Sequence, residues 1–307
     1  MMKTKLKKLT SKKLLIVIFA LLLIGELFSR FYLGLGESYT YEENDKYEYF
    51  PTANLNISRF GNNIQTNNMG MRCAKIDTSK RTILKIGDSV INGGPHVSNS
   101  ELSSNLVEKD LNKNEEEFQV LNVSAGSWGP DNAFAYVREH GHFDCELMVL
   151  VFSSHDFHDN MHHREVVGVH TSWPKNQPLS ASTDLFGNYI WPKVRYFLGE
   201  EEFAYLDGVD DSKINPGWMQ FFNYVTEHKI PYLLYIHPEK EEVINGSFNT
   251  IGIELLAYLG ENKIPFQNGL KLGMKVSSYR DNIHLNADGQ KQLFSNLLPE
   301  VKGKLNL

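Results

Sequence analysis

Five short apolar runs, rich in β-branched residues, alternate with helix-patterned stretches from residue 81 to the C-terminus. That alternation predicts an α/β fold, a parallel sheet with helices on both faces. The runs are residues 82–86, 118–123, 147–152, 232–236 and 265–267. Helices are expected at 101–111, with Ser98 or Ser100 as cap, at 131–140, 218–228 and 253–259, and at 287–298, capped by Asn286. Residues 157–215 break the rhythm with prolines, glycines and aromatics and read as a long insertion. Ligands of such sheets bind at the carboxyl ends of the strands, and Ser89, Gly126, His155 and His237 each lie just past one.

The N-terminus has a different character. Residues 1–13 hold six lysines and no acid and are expected to form a cytoplasmic basic tail. Residues 14–25 are unbroken apolar, and the stretch 14–33 is long enough for one helical membrane span, for which about 20 residues suffice. Glu26 and Arg30 stand four apart and can pair on one helix face. No small-x-small cleavage site follows, so an uncleaved anchor is expected rather than a signal peptide, with the body outside. Residues 34–80 are polar, Asn-rich and Tyr-rich and read as a stalk and lead-in, with residues 67–72 packing on the domain at 81–307.

The chain's 307 residues, 41% of them hydrophobic, suffice for one large domain with a real core. Without the six N-terminal lysines the remainder carries −12 against the whole chain's −6, which argues against a nucleic-acid partner. Two cysteines, Cys73 and Cys145, exclude a disulfide scaffold and a thiolate zinc site; they leave open one disulfide or two buried thiols.

Four segments carry candidate chemistry. Gly87-Asp88-Ser89 follows the first strand and precedes Asn92-Gly93-Gly94-Pro95, where glycines let the backbone turn sharply. Asp281-Asn282-Ile283-His284 brings a carboxylate and an imidazole together within one turn of chain. A serine hydroxyl needs an imidazole to take its proton, and the imidazole needs a carboxylate to orient it. The second strand leads into Ser124-Ala125-Gly126-Ser127-Trp128-Gly129-Pro130, whose glycines can present a backbone N–H to an oxyanion or simply make a tight strand-to-helix turn. The third leads into Ser153-Ser154-His155-Asp156, with Asp159 and His162 beyond. On a helix His155, Asp159 and His162 would share a face, but H-E-x-x-H is missing, and hydrogen bonding is preferred to a metal there.

In their order along the chain, the segments resemble the blocks of the SGNH (GDSL-type) hydrolase superfamily over residues 81–300. With its anchor and stalk, the chain resembles the membrane-anchored branch associated with polysaccharide O-acyl esterases and acyltransferases. The resemblance implies a flavodoxin-like three-layer α/β/α sandwich and a triad of Ser89 (nucleophile), His284 (base) and Asp281 (orienter). It implies an oxyanion hole from Gly126 or Gly129 and the third block. That block normally reads Gly-x-Asn-Asp; here His155 stands where the asparagine is expected, as an alternative N–H donor. A helix after Ser89 would add its positive dipole. Trp128, Asn132, Trp173 and Trp191 are candidates to contact substrate, and no metal or cofactor is implied. The activity implied is extracytoplasmic: hydrolysis or transfer of acyl, chiefly acetyl, esters of an envelope or exported polysaccharide. A transferase would need a polytopic acyl-donor membrane protein as partner. Two alternatives stand beside it: a catalytically impaired glycan-binding or scaffold protein of an export complex, and a lipid esterase or thioesterase.

Overall fold

The computed structural model describes residues 11–114, 117–199 and 212–307. Helix α1 (Ser11–Leu27) continues as a π-helical turn over Phe28–Tyr32. Two hairpins follow, β1 (Tyr41–Asn44) with β2 (Glu48–Pro51), and β3 (Asn56–Arg59) with β4 (Asn62–Gln65). The main domain then runs β5 (Arg81–Gly87), α2 (Ser89–Asn92), α3 (Ser103–Leu111), β6 (Phe118–Ser124), α4 (Pro130–His140) and β7 (Leu147–Ser153). The interrupting region holds α5 (Ala181–Leu185) and α6 (Trp191–Phe197). After it come α7 (Gly217–Glu227), β8 (Tyr232–His237), α8 (Lys240–Asn245), α9 (Thr250–Glu261), β9 (Gln267–Asn268) and α10 (Ala287–Leu305).

The five main strands pair in parallel in the order β6-β5-β7-β8-β9. This is the flavodoxin-like order, and its crevice falls where the winding reverses, between β5 and β7. Alternate residues of each strand enter opposite cores. Leu84, Ile86, Leu150 and Phe152 join Val137, Phe221 and Leu255 on one face, from α4, α7 and α9. Ile83, Val149, Val151 and Tyr235 join Val107, Leu293 and Leu297 on the other, from α3 and α10. Burial on both faces explains why the strands read as continuous apolar runs. The fifth strand is shorter than its apolar run and lies at the edge. Helix α10 runs past its expected end through Pro299, because Val301 and Leu305 beyond it are buried against the sheet. The expected Glu26–Arg30 pair forms, at 3.0 Å, and Cys73 and Cys145 are both free and buried.

The segment expected to be a stalk is folded into the domain. Tyr39, Tyr41, Tyr49, Phe50, Ile64 and Met71 belong to the same core as α4, and the Phe50 ring lies 5.0 Å from Trp128 and 4.7 Å from Tyr136. Packing is expected from the sequence only of residues 67–72; the hairpins' strands of four residues carry too little periodicity to show theirs. Arg72 is fully buried beside them, and it donates to the Asn92, Gly94 and Val97 carbonyls at 2.6–2.7 Å and to Asn99 Oδ1 at 2.7 Å.

A fragment beginning at residue 34 should therefore unfold cooperatively on heating, whereas one beginning at residue 81 should be molten or insoluble, because it exposes the core partners of Trp128 and Tyr136. Equal thermal transitions for the two would show that the lead-in is dispensable.

Candidate active site

Ser89 is placed by a forced approach of two strands. A Cβ on Gly87 would stand 2.3 Å from the Val151 carbonyl oxygen, so only glycine fits there. Asp88 is extended and caps α2, its carboxylate accepting from Val90 N at 2.8 Å. Ser89 is the first residue of α2, which ends after one turn at Gly93, in the left-handed region at φ 72°. A four-residue helix has little macrodipole, so the dipole expected behind Ser89 is a minor contribution.

His284 and Asp281, expected as base and orienter, lie in contact. His284 Nδ1 lies 2.8–2.9 Å from the Asp281 carboxylate, which also accepts from His284 N at 2.8 Å and Ile283 N at 3.0 Å. Partial burial works against the charge, but these two N–H groups and the imidazole outweigh it and hold the Asp281 carboxyl well below the usual range. With Nδ1 donating to Asp281, Nε2 is the basic atom left to act. Ser89 and His284 line one cavity of about 390 Å³, together with Gly126, Ser127, Trp173 and Tyr189. Ser127 sits there with φ 54°, a strained value of the kind that clusters at functional sites.

The other residues singled out in the sequence separate into two groups. Gly126 and Trp173 line the cavity. Gly129 does not: its N–H donates to Asn132 Oδ1 at 3.0 Å, and a Cβ on it would stand 2.0 Å from the Asp159 carbonyl oxygen. Trp128 is a core side chain whose Nε1 donates to the Tyr49 carbonyl at 3.1 Å. Asn132 is buried, closing the cap of α4 and donating to Glu48 at 2.7 Å. Trp191 lies outside the cavity lining, 45% exposed and stacked on Phe186.

His155 is also outside the cavity lining and faces carboxylates with both ring nitrogens. Nδ1 lies 3.1 Å from Glu239 Oε1, while Nε2 lies 3.5 Å from Asp156 Oδ1 and 3.9 Å from Asp88 Oδ2. Asp88 Oδ2 and Asp156 Oδ1 are buried and take no hydrogen bond among the described residues. Burial alone would lower the imidazole's pKa, but Asp156, Glu239 and Asp88 raise it to about 10, so His155 is a cation at neutral pH. Burial pushes the Asp88 and Asp156 carboxyls up, and the three groups titrate as a unit. Asp88, His155 and Asp156 are also the described residues whose ligand atoms gather closely enough, within 4.8 Å, to hold a divalent ion. A proton on His155 and a bound cation are alternative ways to compensate the same two acids. The metal reading weighed from sequence used Asp159 and His162, neither of which belongs to this group. Glu239 carries no sequence signal beyond its charge; Asp88 reads only as part of the Gly87-Asp88-Ser89 turn and Arg72 only as part of the lead-in expected to pack on the domain.

His155→Gln should lower the melting temperature most in mildly acid solution. A histidine raised from about 6.5 unfolded to about 10 folded contributes fully below the lower value and loses that contribution as pH rises to the upper one. Melting curves of both proteins across that range test it; a constant gap would refute the caged imidazolium.

No family model matches the chain and no curated protein matches it. Several solved structures superpose on it. A carbohydrate acetylesterase family member from Sinorhizobium meliloti shares 15% identity with a TM-score of 0.41, covering 74% of this chain and 100% of that one. A lipase/acylhydrolase from Enterococcus faecalis shares 13% at 0.43, covering 73% and 96%. The acetyl xylan esterase AlAXEase shares 13% at 0.44, covering 72% and 99%. At that identity and superposition the likeness assigns this chain neither an activity nor a substrate.

Proposed function

We propose that the protein is a membrane-anchored, extracytoplasmic serine esterase or O-acyltransferase of SGNH type, acting on acyl esters, chiefly acetyl esters of an envelope or exported glycan. The observation that carries this reading is that Ser89 and His284 line one cavity while Asp281 holds His284 Nδ1 at 2.8 Å. Ser89 Oγ attacks the ester carbonyl and His284 Nε2 takes its proton. The tetrahedral intermediate collapses, the ester C–O bond breaks, and His284 returns the proton to the leaving alkoxide. Water, or a sugar hydroxyl in transfer, then attacks the acyl-Ser89 ester by the same route reversed. Ser89 and Gly126 supply the oxyanion donors through their backbone N–H groups. His155, committed to Glu239 and Asp156, acts from behind the loop, where its charge compensates Asp88 next to the nucleophile. Trp173 and Tyr189, with Tyr39, Tyr41 and Phe60, supply the aromatic surface of the cavity.

The anchor rests on residues 12–32, a helix long and apolar enough by length and composition to cross a membrane. The lysines before it would stay cytoplasmic and leave the cavity outside.

A fragment beginning at residue 34 should hydrolyse 4-nitrophenyl acetate. Ser89→Ala should lower turnover by about 10⁴-fold or more without shifting the melting temperature. Wild-type turnover in that variant would remove Ser89 from the chemistry, and no turnover in the unsubstituted fragment would leave a binding or scaffold role.

A further inference from the structure

The region between β7 and α7 carries an exposed apolar face that no catalytic step uses. Helix α5, a π-helical turn over Phe186–Ile190 and α6 form one continuous helical arm. Phe186, Ile190, Val194 and Phe197 recur along it at helical spacing, with Trp191 and Leu198 beside them. All six are exposed, Phe197 by 89% and Leu198 by 67%. A face of this kind on a monomer marks a surface that something apolar covers.

The arm's attachment says what covers it. Its first turn is bound to the last turn of α1: Glu26 accepts from Ala181 N at 3.0 Å and from Ser182 N at 2.9 Å. Asp184, one turn later, accepts from Gly36 N at 3.0 Å and pairs with the buried Arg59 at 2.6 Å. The arm therefore starts at the point where α1, exposed and apolar along its length, gives way to the folded domain. Where α1 enters a bilayer, the arm is held at the depth of its surface. Its composition suits that depth, since Trp191 and Tyr196 have the amphipathic rings of the headgroup region and Lys193 and Arg195 favour anionic headgroups. The same arm supplies Asn188 and Tyr189 to the wall of the Ser89 cavity, where the Tyr189 hydroxyl accepts from Arg59 at 3.0 Å.

We infer that the arm of residues 181–198 seats its apolar face in the bilayer interface beside α1 and brings the Ser89 cavity to the membrane surface, where it takes an acyl ester carried on a membrane-embedded amphiphile. This rests on the anchored-esterase reading above and narrows its substrate class.

Trp191 makes the arm readable. Trp128, Trp173 and Trp218 are buried, so Trp191 is the tryptophan of the four that faces outward. The full chain is reconstituted into phosphatidylcholine vesicles carrying bromine near the top of the acyl chains. Quenching of tryptophan fluorescence is expected, and Trp191→Phe should abolish it. Phe197→Glu with Leu198→Glu should also abolish quenching, and should remove turnover of an ester embedded in the vesicles while soluble 4-nitrophenyl acetate is still hydrolysed. Membrane-bound protein that resists an alkaline wash, yet whose Trp191 is quenched by aqueous iodide and not by the lipid, would overturn the arm's placement and leave the anchor standing. Release by the wash would overturn both. Equal effects of the glutamates on the two esters would overturn the substrate assignment alone.

Discussion

β5 and β7 run side by side with Gly87 level with Val151, so close that no side chain fits on Gly87. Everything past the strand ends depends on that approach. It sets Asp88 beside His155 and Asp156, and it starts α2 at Ser89, over the crevice where the sheet's winding reverses. A residue with a Cβ at position 87 would push the two strands apart and disturb both the start of α2 at Ser89 and the seating of Asp88 beside His155.

Two further loops are tied to this point by polar groups rather than by apolar packing. Arg72 reaches from the lead-in and gathers the carbonyls of the loop after Ser89. Glu239, after β8, bonds His155 through one oxygen and accepts from Asn282 Nδ2 at 3.4 Å through the other, while Lys240 N donates to the Asn282 carbonyl at 2.8 Å. The turn that carries Asp281 and His284 is thus linked to the charge cluster behind Ser89. Ser89 and His284 are almost two hundred residues apart in the chain, and their common cavity is held by these links together with the wall that the lead-in contributes.

Much of the α/β frame was legible in the sequence because both faces of its sheet are buried, which leaves β-branched runs that stand out against amphipathic helices. Asp281 and His284 were legible because they are local: three positions apart, they need only a turn to meet. The remainder depended on information that spacing does not hold. Trp128 and Asn132 sit in a glycine-rich segment that looks like a site, yet their side chains point into the core and the α4 cap, a direction fixed by hairpins whose strands are too short to announce themselves. His155 looked like a donor because of its place after the third strand. Its surroundings are instead decided by Asp88 and Glu239, which are distant in sequence and meet it only in the folded chain.

Buried charge recurs where parts of this molecule join: Arg59 with Asp184 between the hairpins and the helical arm, Arg72 between the lead-in and the nucleophile loop, and His155 among its three carboxylates. Each join takes charge out of water and offsets that cost by the attraction regained inside, so that losing one partner would leave the other buried and uncompensated. What each does impose is a single arrangement. Two apolar surfaces can slide by a fraction of a side chain and keep most of their contact, whereas a guanidinium that has to meet a carboxylate or several carbonyls at hydrogen-bond distance allows one fit. The arm and the nucleophile loop are the parts whose positions shape the cavity, and they lie outside the sheet, where strand register cannot place them. Charged joins at those points are therefore what a cavity assembled from several distant stretches of chain requires: they convert an approximate apolar fit into the fixed geometry that the proposed proton transfer between Ser89 and His284 needs.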